Sequence, residues 1–145
     1  MKTTTQILIT LLLAVSALAG APLSKREAYE LYVVIAAVDG ANADNTVKLA
    51  DNLVALRPHV EAYEAKVKAL SKAADRLKLA ARKDPKLLEN LEEKLLNYQD
   101  EIEKEADSTV QVELKDVALS TEEVGTAKLR PAQLAVLRKL EKKKP

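Results

Sequence analysis

A chain of 145 residues has room for one domain. With 31% charged and 48% hydrophobic residues it has the composition of a folding chain, not a disordered one. The absence of cysteine excludes disulfides, thiolate metal sites and thiol nucleophiles, and the near-balance of 23 basic against 22 acidic residues argues against general nucleic-acid binding.

The first twenty residues, MKTTTQILITLLLAVSALAG, carry Lys2, an apolar run from Ile7 to Val15 and small residues before Gly20. Ala17-Leu18-Ala19 fits the A-x-A cleavage pattern, and the run is shorter than the ~20 apolar residues of a membrane span. Residues 1–19 are therefore expected to be a signal peptide cut after Ala19, and the product to be secreted. The chain has no N-x-S/T site, so that product would lack N-linked sugar.

The Lys-Arg dipeptide occurs once, at Lys25-Arg26, just past a loose GAP segment. Followed by Glu27-Ala28, it resembles a dibasic processing site of the kexin type, as in fungal secretory leaders. Residues 20–26 then form a short propeptide or leader remnant, and 27–145 a single helical domain. The competing reading is a capping box, Ser24-Lys25-Arg26-Glu27, at the start of a helix. Two cations in a first helical turn oppose the helix macrodipole, which favours the processing reading. Cleavage after Arg26 would leave 20 basic and 22 acidic residues, a net charge of −2.

From about Glu27 to Val38, Leu31, Val34, Ile35 and Val38 form an i, i+3, i+4, i+7 stripe, the mark of an amphipathic helix. DGANADN then reads as a loop. Its Asp39, Asn42, Asp44 and Asn45 supply oxygens, but Ala41 and Ala43 occupy positions that a calcium loop fills with ligands.

The clearest periodicity follows. Leu49, Leu53, Leu56, Val60, Tyr63, Val67, Leu70, Ala74, Leu77 and Ala81 are spaced alternately four and three apart, the a/d seam of helices that pack lengthwise. Proline removes a backbone donor and clashes with the preceding turn, so Pro58 is expected to divide this stretch into two helices in register. Asp84 and Pro85 suit a cap and a first helical position. The next helix shows Leu88, Leu91, Leu95, Tyr98 and Ile102, and its pattern fails at Glu105 and Thr109. A short connector between two such helices implies an antiparallel hairpin.

Residues 108–119 alternate like a strand at Val110, Val112 and Leu114, yet no second segment offers itself as a partner, so the stretch reads as helical or irregular. Ser120-Thr121-Glu122-Glu123 is a second capping box. A last helix begins near Pro131 and uses Leu134, Leu137 and Leu140. Net charge alternates along the chain: −4 over 27–56, +5 over 57–83, −9 over 84–127 and +6 over 128–145, which suits antiparallel neighbours that attract.

The inventory of reactive groups is thin. His59 is the only histidine and has no metal or nucleophile partner in the sequence, so it reads as a first-turn surface residue. Glu89/Glu93 and Glu101/Glu105 are carboxylate pairs that also fit the wet face of a helix. No catalytic residue, metal ligand or cofactor motif is expected.

The fold expected is all-α, a small bundle of three to five helices around an antiparallel helical hairpin. The expected function is a secreted, non-catalytic protein that binds another macromolecule, a host or cell-surface partner included. The candidate interaction seam is Leu49, Leu53, Leu56, Val60, Tyr63, Val67, Leu70 and Leu77. An amphipathic binder of lipid or apolar surfaces is the alternative. The basic tail, Arg138, Lys139, Lys142, Lys143 and Lys144, is a candidate contact for anionic surfaces. A second copy of the chain is a further candidate partner.

Overall fold

The computed structural model describes residues 22–120, 122–123 and 131–137. In chain order these form β1 (Pro22–Ser24), α1 (Lys25–Ala37), α2 (Ala43–Ala81), a 3-10 turn (Pro85–Leu87), α3 (Leu91–Asp107), β2 (Thr109–Gln111) and α4 (Pro131–Leu137). The protein is mostly helical, with one small two-stranded ribbon. The expected signal peptide with Ala19, Leu140 of the last expected helix and the basic tail from Arg138 to Lys144 lie outside the described residues.

Helix α1 starts at Lys25 because Ser24 caps it. The Ser24 hydroxyl accepts from the Glu27 N–H at 3.1 Å, and the Glu27 carboxylate accepts from the Ser24 N–H at 3.0 Å. This reciprocal pair satisfies two donors that a helix start leaves open. Of the expected stripe, Leu31, Val34 and Ile35 are buried, joined by Ala28, while Val38 is the half-buried C-cap beyond the helix end.

Helix α2 begins at an Asn42 cap, whose side-chain oxygen accepts from the Asn45 N–H at 2.9 Å. It then runs unbroken for 39 residues, about 58 Å at 1.5 Å per residue. The expected division at Pro58 is absent: proline sits inside a continuous helix. Tertiary packing decides this. Leu56 and Val60, two residues either side, are fully buried and hold both flanks against the core. Pro58 and Val54, whose carbonyl loses its partner, both face solvent, where water can replace the missing donor. All ten seam residues from Leu49 to Ala81 are buried or half-buried, while Val47 and Val54 on the other face are 61% and 68% exposed.

Asp84 and Pro85 do cap and open a helical turn, with the Asp84 carboxylate accepting from the Lys86 N–H at 3.0 Å. That turn is a short 3-10 piece, and α3 begins only at Leu91. Leu88, expected in the seam, is therefore in the connector and 54% exposed. Leu91, Leu95, Tyr98 and Ile102 lie half-buried, and Ala106 is buried. The chain reverses through residues 82–90, so α3 packs back along α2.

The stretch at 108–119 is irregular from Val112 on, as one of the two readings had it, but its start corrects the expectation that no strand partner exists: Thr109–Gln111 is a strand, and its antiparallel partner is Pro22–Ser24. Leu23 lies opposite Val110, with Pro22 opposite Gln111 and Ser24 opposite Thr109. Proline is tolerated in β1 because a two-stranded ribbon has only edges. Beyond β2 the chain carries no helix or strand through Ser120, with Val112 and Val117 buried and Leu114 and Leu119 half-buried.

One apolar core results: Ala28, Leu31, Val34, Ile35, Leu49, Leu56, Val60, Val112, Val117 and Leu137. No aromatic belongs to it. Tyr29 and Tyr63 meet beside it edge-on, ring centroids 6.0 Å apart. The core thus gathers α1, the first half of α2, the irregular segment and α4. Toward the connector the hairpin has only α2 and α3 to cover each other, and between Tyr63 and Asn90 only Leu70 and Ala81 are buried.

Candidate functional site

Two surfaces and one buried cluster hold the residues from which function can be argued. The first is the hairpin. The seam residues nearest the core, Leu49, Leu56 and Val60, belong to it, with Leu53 packed against it. Tyr63, Val67 and Leu77 keep part of their surface in water, as do Leu91, Leu95, Tyr98 and Ile102 on α3. Leu79, Leu88 and Leu96 are 56%, 54% and 58% exposed. Two helices alone cannot enclose an a/d seam, so a partly open apolar strip remains along this end.

The two helices carry opposite net charge along this end. On α2 and its exit, Lys66, Lys68, Lys72, Arg76, Lys78, Arg82 and Lys83 are all exposed, with Asp75 the one anion among them. On α3, Glu92, Glu93, Asp100 and Glu101 are exposed. Among the described residues no ion pair joins α2 to α3; the distal α2 pair is Lys78 with Asp75, within one helix at 3.5 Å. The charge alternation along the sequence therefore gives the two helices opposite net charge without locking them together.

The ion pairs that do cross between elements form the second surface. The Lys25 ammonium donates to Glu105, and the Arg26 guanidinium donates to Glu103, with Asp107 3.8 Å away. The Lys25 backbone N–H donates to the Ser108 carbonyl at 2.8 Å. This resolves the dipole objection to a helix starting at Lys25. Two cations oppose the dipole of α1 at its N-terminus, and three carboxylates oppose the dipole of α3 at its C-terminus. Placed end to side, each cluster neutralises the other. Glu105, one of the carboxylates paired in the sequence with Glu101, is thus a partner of Lys25. Glu89 and Glu93 are exposed.

The buried cluster was not visible as a site in the sequence. Asn45, Asn52 and Glu123 are the buried polar side chains among the described residues. The Asn45 amide donates to the Ala118 carbonyl at 2.8 Å and to Glu123 at 3.2 Å. The Glu123 carboxylate accepts from the Ser120 N–H at 2.6 Å and from the Asn42 N–H at 2.7 Å, while the Ser120 hydroxyl accepts from the Glu123 N–H. The capping box expected at Ser120 is therefore formed, and its glutamate also serves the entry to α2. These donors, Ser120 and Asn42 foremost, hold the Glu123 carboxyl down to about 2 against the opposing effect of desolvation. One signal existed: Asn45, Leu49, Asn52 and Leu56 are spaced 4-3-4, so two asparagines extend an apolar stripe.

His59 sits mid-helix and half-buried, not in a first turn, because α2 does not break at Pro58. Among the described residues no group of three or more acidic or histidine side chains could hold a metal ion, and no helix is long and apolar enough to cross a membrane. Of the processing residues, Lys25 and Arg26 stand in the first turn of α1. Compared with protein-family models, curated proteins and solved structures, the chain matches none of them, so its chemistry is read from this geometry alone.

Proposed function

We propose that this is a secreted, non-catalytic helical protein that binds another macromolecule along the α2–α3 hairpin. The supporting observation is the partly open strip of Tyr63, Val67, Leu77, Leu91, Leu95 and Tyr98, with exposed Leu88 in the connector at its end. A third amphipathic helix completes such a seam, as in helix-in-groove recognition. The flanking charges favour a partner helix with acidic residues on the α2 side and basic residues on the α3 side. Secretion rests on the A-x-A pattern of residues 1–20, and the absence of catalytic chemistry on the residue inventory.

A photoreactive residue placed at Val67 or Tyr98 tests this in the secreted protein, with Val54 as the control position on the outer face of α2. The expected result is one recurrent cross-linked species from the two hairpin positions and none from Val54. Equal cross-linking from all three positions, or none from Val67 and Tyr98, would reject the hairpin as the binding surface. Cross-links to lipid in place of protein would transfer the same strip to an apolar surface.

A further inference from the structure

We propose that Lys25-Arg26 is a proteolytic processing site gated by folding: open to a dibasic-specific endoprotease in the unfolded chain and closed once β1, the α1 cap and the ion pairs to α3 have formed. The inference does not depend on the hairpin's binding role.

Proteases of this class take their substrate as an extended segment, several residues on each side of the cut. Here Pro22–Ser24 is already paired with Thr109–Gln111, and Lys25 onward is helical. Lys25, which would have to enter the second subsite before the cut, keeps only 22% of its side chain exposed, against Glu105. Arg26 is held by Glu103 and lies near Asp107. Backbone groups are engaged as well: the Lys25 N–H reaches Ser108, and the Ser24 and Glu27 N–H groups are satisfied by the capping box. Cutting requires that all of this open together, so its rate follows the population of the open segment.

The reaction itself is simple hydrolysis. Water adds across the Arg26–Glu27 peptide bond, leaving a carboxylate on Arg26 and a new α-ammonium on Glu27. Its structural consequences are large. The product loses β1, the Ser24 cap and the cations that neutralise Glu103, Glu105 and Asp107. It gains a positive end at the start of α1, where the macrodipole opposes it. Folding and cutting therefore compete: a chain cut early must fold without its clamp, and a chain that folds first keeps residues 22–26.

The test is to treat the folded chain with a kexin-type endoprotease, to read cleavage after Arg26 by mass, and to normalise the rate to that of a peptide of residues 20–30. The folded chain is expected to be cut on the order of 100-fold more slowly than the peptide, as for a bond that needs sub-global opening. Urea at the unfolding midpoint should restore much of the rate. Glu103→Gln with Glu105→Gln should raise the native rate several-fold while circular dichroism confirms retained helix, since exposed pairs contribute modestly. Cleavage of the folded chain as fast as the peptide would overturn the proposal, and so would resistance that persists in urea.

Discussion

Asn52, with no exposed surface, exchanges two hydrogen bonds with the backbone of Lys115: its amide donates to the Lys115 carbonyl at 3.0 Å, and its oxygen accepts from the Lys115 N–H at 2.6 Å. A helix side chain thereby does for the irregular segment what a neighbouring strand would do. One heptad earlier, the Asn45 amide donates to the Ala118 carbonyl. The pair supplies partners to backbone groups of the irregular segment beyond β2, which has no sheet partner there.

Asn52→Ala should therefore destabilise the protein by about 2–4 kcal/mol, since it strands a buried donor and acceptor together. Lys115→Ala should be nearly neutral, because Lys115 takes part through its backbone and its residue is exposed. Urea denaturation of the two variants, compared at their midpoints, checks the contrast; equal effects would mean that Asn52 does not bridge Lys115.

Glu123 supplies a pH dependence of known sign. Its carboxyl is lowered from 4.5 to about 2 in the folded protein, so the stability it contributes is complete above about pH 4.5 and is lost as pH falls toward 2. Glu123→Gln should thus lower Tm most at neutral pH, and the difference from wild type should shrink as pH falls from about 4.5 through 2, where the Glu123 carboxyl of the folded protein takes up its proton. Thermal melts of both proteins across pH 2–7 measure it. A pH-independent difference would place the contribution of Glu123 in its shape and not in its charge.

Pro58 interrupts the hydrogen-bond ladder of a helix held by its flanks. Pro58→Ala should raise stability by about 1–3 kcal/mol, below the full interior cost of proline because alanine also loosens the unfolded chain. Helix content should be unchanged apart from that turn. A loss of stability in denaturant titration would show that the proline shapes the packing of Leu56 and Val60 on the core.

Local rules carried much of the architecture. Local patterns located α1 to within two residues at its start, placed all ten seam residues on the covered side of α2, and identified the caps at Asp84 and Ser120, while the cap at Ser24 was legible only as the less favoured reading. Each of these depends on neighbours within one or two turns, which is the range over which sequence spacing carries information. The candidate binding strip was legible only as part of that seam. Which of its members stay partly open depends on how far α1 and the segment after β2 extend along α2.

What the tertiary structure alone decided involves partners far apart in the chain. Leu23 meets Val110, Asn52 meets Lys115, and Lys25 meets Glu105. In each case a residue that looks costly by local rules is made favourable by a distant one: an unpaired strand, a polar group in an apolar stripe, a cation at a helix start. The dipole argument at Lys25-Arg26 and the helix-breaking argument at Pro58 were sound for isolated helices. Both were overridden because burial of an apolar face and neutralisation across two helix ends outweigh single-turn preferences. The sequence by itself determined where helices could form and which faces they would hide; the packed chain determined which of them continue, what the extended segments pair with, and which charges meet.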